Sequence, residues 1–434
     1  MTLVALMLRG FGAIGLLVIT ILVARSLSPQ DAGIFFLGLS MIMVIVPIGL
    51  MGLPTSLMRL MSVASEAGKT QDLFGLNGLA VRWVGFGLGA AVIILWSSRA
   101  LIANNLFSKP QLADVLAFML PASLLFAFNV LRAQQLIALQ KELIGLGILF
   151  IATPLLFVGG IYLSYPDSPG SMARVYFSSV LLLSIFVTGF WRSQSSSWAP
   201  GRFSASALWQ ITWPLWVAAI AGIVMRWGGQ FISGIWLSGE EIAFIAVAER
   251  LAMLVAFVNL AITPIYSARF AQAHAENNAA ALANVVWQGV AVSITIALPV
   301  FLAILFLPSL LLSLFGQQYV AARGFLQIFF LGYFAHALFG LAPAVLAMTG
   351  HEADVRNIAF VGSVLTIGAL FIFVPSYGAL SAVWAMTVSV LFLSLASSVM
   401  VYFHLGINVI SPTGIAGVVK SSLKRKFARH KAQG

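Results

Sequence analysis

The 434-residue sequence has no cysteine and little charge: 12 Asp plus Glu and 23 Lys plus Arg, together 8% of the chain. The missing cysteines exclude disulfides, thiol catalysis and thiolate-held metals, and remove redox usage as a guide to compartment. A soluble domain is about 25% charged. So few ionisable side chains cannot supply the polar shell that a water-soluble globule of this size needs. What is present instead is apolar, 61% hydrophobic with a mean hydropathy of +1.03, and a bilayer is the natural solvent. At about 20 residues per membrane helix, twelve helices use roughly 240 residues or more and leave only short loops. No room remains for a soluble catalytic domain, so the chain is not expected to be an enzyme. A net charge of +11 would suggest nucleic acid in a soluble protein. In a membrane protein it first marks the cytoplasmic loops, and no nucleic-acid partner is expected.

Apolar runs fall at about 3–25, 32–61, 74–98, 112–138, 143–163, 172–191, 207–236, 241–267, 281–307, 323–348, 355–375 and 378–405. Turn chemistry separates them, as in Ser26-Leu27-Ser28-Pro29, Pro166-Asp167-Ser168-Pro169-Gly170 and Ser238-Gly239. The spacing predicts an all-α polytopic membrane protein of twelve helices. The first run is too long for a signal peptide and has no small-residue cleavage site, so it reads as a retained helix. Twelve spans put both termini on one side. That side would carry Arg59, Lys69, Arg132, Lys141, Arg192, Arg202, Arg269 and Arg356, and six further basic residues in the tail, Lys420 to Lys431. The other side would carry five: Arg25, Arg99, Lys109, Arg174 and Arg323. The excess orients both ends toward the cytoplasm of a plasma membrane.

Shifting the chain by 210 residues aligns Leu27-Ser28 with Leu237-Ser238, Asp31 with Glu241, Pro54 and Arg59 with Pro264 and Arg269, and Glu142 with Glu352. Six spans separate the matched points, so the halves enter the membrane in the same sense, as a parallel repeat. The expected organisation is a six-helix lobe over 1–197, a second over 198–410, and a basic tail over 411–434. The lobes join in the Ser-rich stretch Arg192–Ser206, and two such lobes suit alternating access around a cleft.

The run Ala24-Arg25-Ser26-Leu27-Ser28-Pro29-Gln30-Asp31-Ala32-Gly33 resembles the hairpin that opens the polysaccharide-biosynthesis, O-antigen (Wzx-type) flippases. Leu346-Ala347-Met348-Thr349-Gly350-His351-Glu352, followed by Val374-Pro375-Ser376-Tyr377-Gly378-Ala379-Leu380-Ser381-Ala382, resembles a second stretch of that family. Ala32 stands where the family often has an aromatic residue. These flippases belong to the multidrug/oligosaccharidyl-lipid/polysaccharide (MOP) exporter superfamily. The resemblance implies a V-shaped, MATE-like transporter that moves polyprenyl-pyrophosphate-linked oligosaccharides across the bacterial inner membrane. It also implies a role in cell-surface or exopolysaccharide synthesis beside polymerase or export machinery.

Ionisable groups inside hydrocarbon are expensive, so each is a candidate site. Arg226 near the end of the seventh run and Glu249 near the start of the eighth would lie at similar depth, with Arg250 beside Glu249. Gly222, Gly229, Gln230 and Ser233 recur around Arg226 at helical spacing and predict a polar cavity lining. Arginine suits a lipid pyrophosphate because its planar fork pairs with phosphate oxygens and stays protonated. The alternative is a buried salt bridge that fastens two spans. Arg9 and Arg82 near the cytoplasmic ends of the first and third runs are either substrate-facing or snorkelling to headgroups. His336, alone in an apolar run, reads as a hydrogen-bonded core residue. Pro47, Pro54 and Pro264 are candidate bends near the cleft.

In the tail, Ile415, Val419, Leu423 and Phe427 repeat every fourth residue among Lys420, Lys424, Arg425, Lys426 and Arg429. That pattern predicts an amphipathic helix on anionic membrane lipids. No His, Cys or carboxylate cluster has metal-ligand spacing, and no cofactor is expected. Gly68-Lys69-Thr70 lacks the strand and glycine of a nucleotide loop, so any active transport would be coupled to H⁺, Na⁺ or the substrate gradient. A cation-coupled multidrug exporter of the same superfamily is the alternative function, and a non-transporting polysaccharide polymerase or assembly protein a more distant one. A cavity carrying several arginines would repel cationic drugs, and Glu249 is the only carboxylate deep within a run.

Overall fold

The structure is a computed structural model that describes residues 2–195 and 197–417. For residues 2–7, 9, 13, 218 and 260 it describes the backbone only. The basic tail residues Lys420, Lys424, Arg425, Lys426 and Arg429 lie outside the described residues. The described chain is helical throughout. In order, it forms α1 (Thr2–Ser26), α2 (Pro29–Gly49), α3 (Leu53–Glu66), α4 (Thr70–Ser97), α5 (Leu112–Ala138) and α6 (Glu142–Ser164). The remainder are α7 (Pro169–Ser195), α8 (Ala205–Ser233), α9 (Gly239–Ala275), α10 (Ala279–Phe306), α11 (Gln317–Met348) and α12 (Glu352–Leu405).

Among the described residues, ten of these runs, α2 and α4 to α12, are long and apolar enough to cross a membrane. At 54 residues, α12 would extend about 81 Å, more than twice the hydrocarbon thickness. It is broken at Gly378, whose φ of 64° and ψ of −151° lie outside helical space, so it makes two passes. The ten, α1 and the second arm of α12 give the twelve passes expected, and the chain is an all-α polytopic membrane protein.

The second pass departs from expectation. The run 32–61 is not one bent helix but two, α2 and α3, parted at Leu50–Gly52 where Met51 (φ 49°) and Gly52 (φ 73°) turn left-handed. Pro54 sits in the first turn of α3, where its missing N–H costs no helical bond. Pro47 and Pro264 lie inside α2 and α9. Four π-helical turns, at Val84–Leu88, Ile102–Leu106, Ile148–Ala152 and Val224–Gly228, were also not anticipated.

Packing divides the chain into two compact units. The first comprises Met1–Val247, Ser313–Tyr319 and Ala369–Ala382. Its centre is α5, which packs against α2, α3 and α7. Without water to drive helices together, membrane packing relies on close van der Waals fit and small residues. Gly38 of α2 accordingly lies on Val115 of α5, and Gly145 of α6 on the Ala133 carbonyl. Phe35 stacks on Phe157 with centroids 5.9 Å apart, and Phe157 meets Tyr176 edge to face at 5.4 Å. The second unit comprises Ala248–Leu312, Val320–Gly368 and Val383–Gly434. Its core gathers Ile262, Tyr266, Phe270, Val286, Val290, Leu341 and Val345 from α9, α10 and α11.

Candidate functional site

The matched positions of the repeat make matched contacts. Ser28 Oγ accepts from the Asp31 N–H at 3.2 Å and donates to Asp31 Oδ2 at 2.8 Å. Ser238 Oγ does the same with the Glu241 N–H at 3.2 Å and Glu241 Oε2 at 2.9 Å. Each serine caps an orphan amide at its helix start, and at Ser238 the cap is reciprocal, because the Ser238 N–H also donates to Glu241 Oε2 at 2.8 Å. The two starts meet within the first unit: Gln30 Oε1 accepts from the Glu240 N–H at 2.9 Å. A side chain at Gly33 would lie 1.6 Å from the Gly239 carbonyl oxygen, so only glycine permits this approach.

Two basic residues secure the same end. Arg25 Nε donates to the Leu314 carbonyl at 2.7 Å. Lys109, nearly fully buried, donates to the carbonyls of Phe107 at 2.9 Å and Gly234 at 2.8 Å. Burial holds the Lys109 ammonium below its usual pKa, and the Glu241 carboxylate partly opposes that shift. Nothing in the sequence singled out Lys109 beyond its sign, because its burial depends on a turn 125 residues away.

The break between α2 and α3 is held by α8. Trp216 Nε1 donates at 2.9 Å to the Ile48 carbonyl in the last turn of α2, which also accepts from the Met51 N–H at 3.3 Å. Gly52 lies against the Thr212 carbonyl and the Trp216 amide. Beside the break, α4 and α8 enclose a pocket of about 440 Å³ lined by Met51, Leu79, Arg82, Trp83, Phe86, Gly87 and Trp209. Arg82 is exposed, its Nε donates back to the Gly78 carbonyl at 3.1 Å, and no described carboxylate pairs with it. One helix step on, α4 loosens into the π-helical turn Val84–Leu88.

Arg226 lies inside another π-helical turn, Val224–Gly228 of α8, a feature often found at functional sites. It too is exposed, and no described carboxylate pairs with it. Gln230 and Ser233 do not share its surroundings, contrary to the cavity-lining expectation. They are 2% and 1% exposed, on a turn that packs against α2. The α-helical spacing that grouped them with Arg226 does not hold across a π turn, which shifts the register. Gln230 Oε1 and Ser233 Oγ are buried without a hydrogen-bond partner.

Glu249 and Arg250 belong to the second unit and are both buried, with Arg250 Nη1 3.9 Å from the Met253 sulfur. Arg9 lies on α1, and only its backbone is described. His336 is partnered as expected, with its Nδ1 3.2 Å from Ser394 Oγ. In the first unit, Arg132 joins three helices. It donates to Asn77 Oδ1 of α4 and to Gln135 Oε1 (3.0 Å), and it stacks on Trp191 of α7 at 4.6 Å. Among the described residues no group of His, Asp and Glu is placed to hold a metal ion.

Residues 218–372 match the MatE family model. No curated protein sequence matches the chain. Three solved structures are similar over nearly all of it. The first is an inward-facing multidrug-resistance MATE transporter of the MOP superfamily (TM-score 0.72, 13% identity, covering 92% of this chain and 94% of that one). The second is the lipid II flippase MurJ (0.73, 14%, 100% and 93%). The third is a MOP-superfamily transporter from Pyrococcus furiosus, for which a reversed polarity of the binding pocket suggests a different function (0.58, 15%, 93% and 94%). The twelve-pass chain therefore has the two-lobed fold of the MOP-superfamily transporters.

Proposed function

We propose that the protein is a flippase of that superfamily that moves polyprenyl-pyrophosphate-linked oligosaccharides out of the cytoplasm. The observation that carries this reading is the kind of charge left free within the spans. Arg226 and Arg82 are exposed guanidinium groups without carboxylate partners among the described residues, and such groups recognise phosphate, not cations. Arg226 takes the pyrophosphate in this scheme. Arg9 flanks the cytoplasmic approach, and Pro47, Pro54 and Pro264 allow the helices to bend. Both termini face the cytoplasm, and the basic tail rests on anionic lipid. Superfamily structures are known facing inward and outward, which supports alternating access of the lobes 1–197 and 198–410.

A cation-coupled drug exporter is the second reading, favoured by the MatE match over 218–372. Deleting the gene separates the two. The flippase reading expects polyprenyl-linked oligosaccharide to accumulate on the cytoplasmic leaflet, with unchanged drug tolerance. Loss of drug tolerance with a normal lipid-linked pool would overturn it in favour of the exporter.

A further inference from the structure

The pocket between α4 and α8 has a composition of its own. Its walls are Trp83, Phe86 and Trp209, the Trp83 and Trp209 rings meeting edge to face at 6.0 Å. Phe86 is 78% exposed and Trp209 40%, so the pocket opens laterally and not into a sealed core. Its one charged group is Arg82.

Depth along the helices is set by three contacts. Gly201 and the Arg202–Phe203 peptide lie on Gln71 and Gly75, which brings the start of α8 beside the start of α4. Trp209 is four residues into α8, about 6 Å along its axis. The Arg82 guanidinium turns back one helical turn toward Thr70 to bond the Gly78 carbonyl. Tryptophan and a returning arginine at this level are the furniture of a membrane interface. Arg202, in the same linker, adds a second positive charge at that end, and both lie in the cytoplasmic leaflet in the orientation proposed above.

We infer that this pocket binds an anionic phospholipid of the cytoplasmic leaflet. The phosphate pairs with Arg82, and one acyl chain lies along Leu79, Trp83, Phe86 and Trp209. Charge complementarity selects the occupant, because an apolar wall alone would accept any lipid and a guanidinium alone any anion. At about 440 Å³ the pocket is in the lower half of the range for small-ligand sites, roughly 300–1,000 Å³. It holds part of one lipid and not an oligosaccharide. Its floor is Met51, at the break between α2 and α3, and its upper wall is the π-helical turn at Val84–Leu88. A bound lipid thus buttresses two irregular backbone stretches of the first unit.

The test is native mass spectrometry of the delipidated full chain titrated with dioleoyl-phosphatidylglycerol, dioleoyl-phosphatidylcholine or inorganic phosphate. The wild type should retain one phosphatidylglycerol more tightly than any phosphatidylcholine. Arg82→Gln should weaken that binding roughly tenfold or more, as expected for losing a charge-assisted hydrogen bond. Phe86→Gln, at an exposed position, should weaken it several-fold while leaving the charge in place. Arg226→Gln should not change it, which keeps this outcome separate from the fate of the flippase reading. Equal retention of both lipids, or undiminished binding in Arg82→Gln and Phe86→Gln, would overturn the inference. Competition by inorganic phosphate alone would also overturn it, by showing a free-anion site.

Discussion

The second pass of the first half and its counterpart 210 residues later solve one position in opposite ways. In the first half, Gly49-Leu50-Met51-Gly52 breaks the helix, and two residues turn left-handed. In the second half, the matching Asn259-Leu260-Ala261-Ile262 runs unbroken inside the 37-residue α9. The irregularity has moved to the neighbouring helix. Asn259 Nδ2 donates to the His336 carbonyl at 2.5 Å, where α11 is interrupted at Gly340, and Asn259 Oδ1 accepts from Ser293 Oγ at 2.6 Å. A glycine permits a break in its own helix. An asparagine at the matching turn stabilises one in its partner. Shared pass order thus leaves room for each half to place its bend where its own packing requires.

Exchanging the residues should break this difference. Gly52→Ile, which installs the residue of the second half, combines a left-handed φ with a side chain 2.5 Å from the Thr212 carbonyl. We expect a loss of at least ~3 kcal/mol, seen as poor recovery of folded protein and a sharply lowered melting temperature in detergent. Asn259→Leu should cost less, about 1–2 kcal/mol, since it removes two buried hydrogen bonds at similar volume. Thermal unfolding of that variant beside Ser293→Ala would show whether the two residues act together. Ser28→Ala and Ser238→Ala should each cost about 1 kcal/mol, and unequal losses would show that the matched caps are not equivalent.

The smallest effect concerns Lys109, whose counterpart at the same offset is the fully buried Tyr319. Because burial lowers the folded pKa of Lys109, the unfolded chain binds more protons between that value and 10.5. Stability should therefore rise slightly as pH climbs through that window. Lys109→Met should flatten the rise in a melting series across alkaline pH.

Much of the frame was legible because loops in a membrane protein carry strong chemical signals. Ser28-Pro29, Pro166–Gly170 and Ser238-Gly239 stand at helix boundaries as their residue types require. The polar–apolar alternation around Arg226 was legible as well, but its consequence was not. A π-helical turn arises from packing, with no residue type that marks it, and it separates Arg226 from Gln230 and Ser233. The break at Met51–Gly52 was hidden for a related reason. Glycine is common in membrane helices, and only the approach of Thr212 and Trp216 makes this one a turn. The pairing of Trp83 with Trp209 joins residues more than a hundred positions apart, beyond the reach of local periodicity.

The central claim is that a free guanidinium at Arg226 handles a pyrophosphate. Complementation of a deletion strain with Arg226→Gln and Arg226→Lys, each confirmed in the membrane fraction, tests it most directly. The account predicts that Arg226→Gln leaves polyprenyl-linked oligosaccharide trapped on the cytoplasmic side, and that Arg226→Lys restores export in part, since lysine keeps the charge but loses the planar fork. Full export by Arg226→Gln would contradict it.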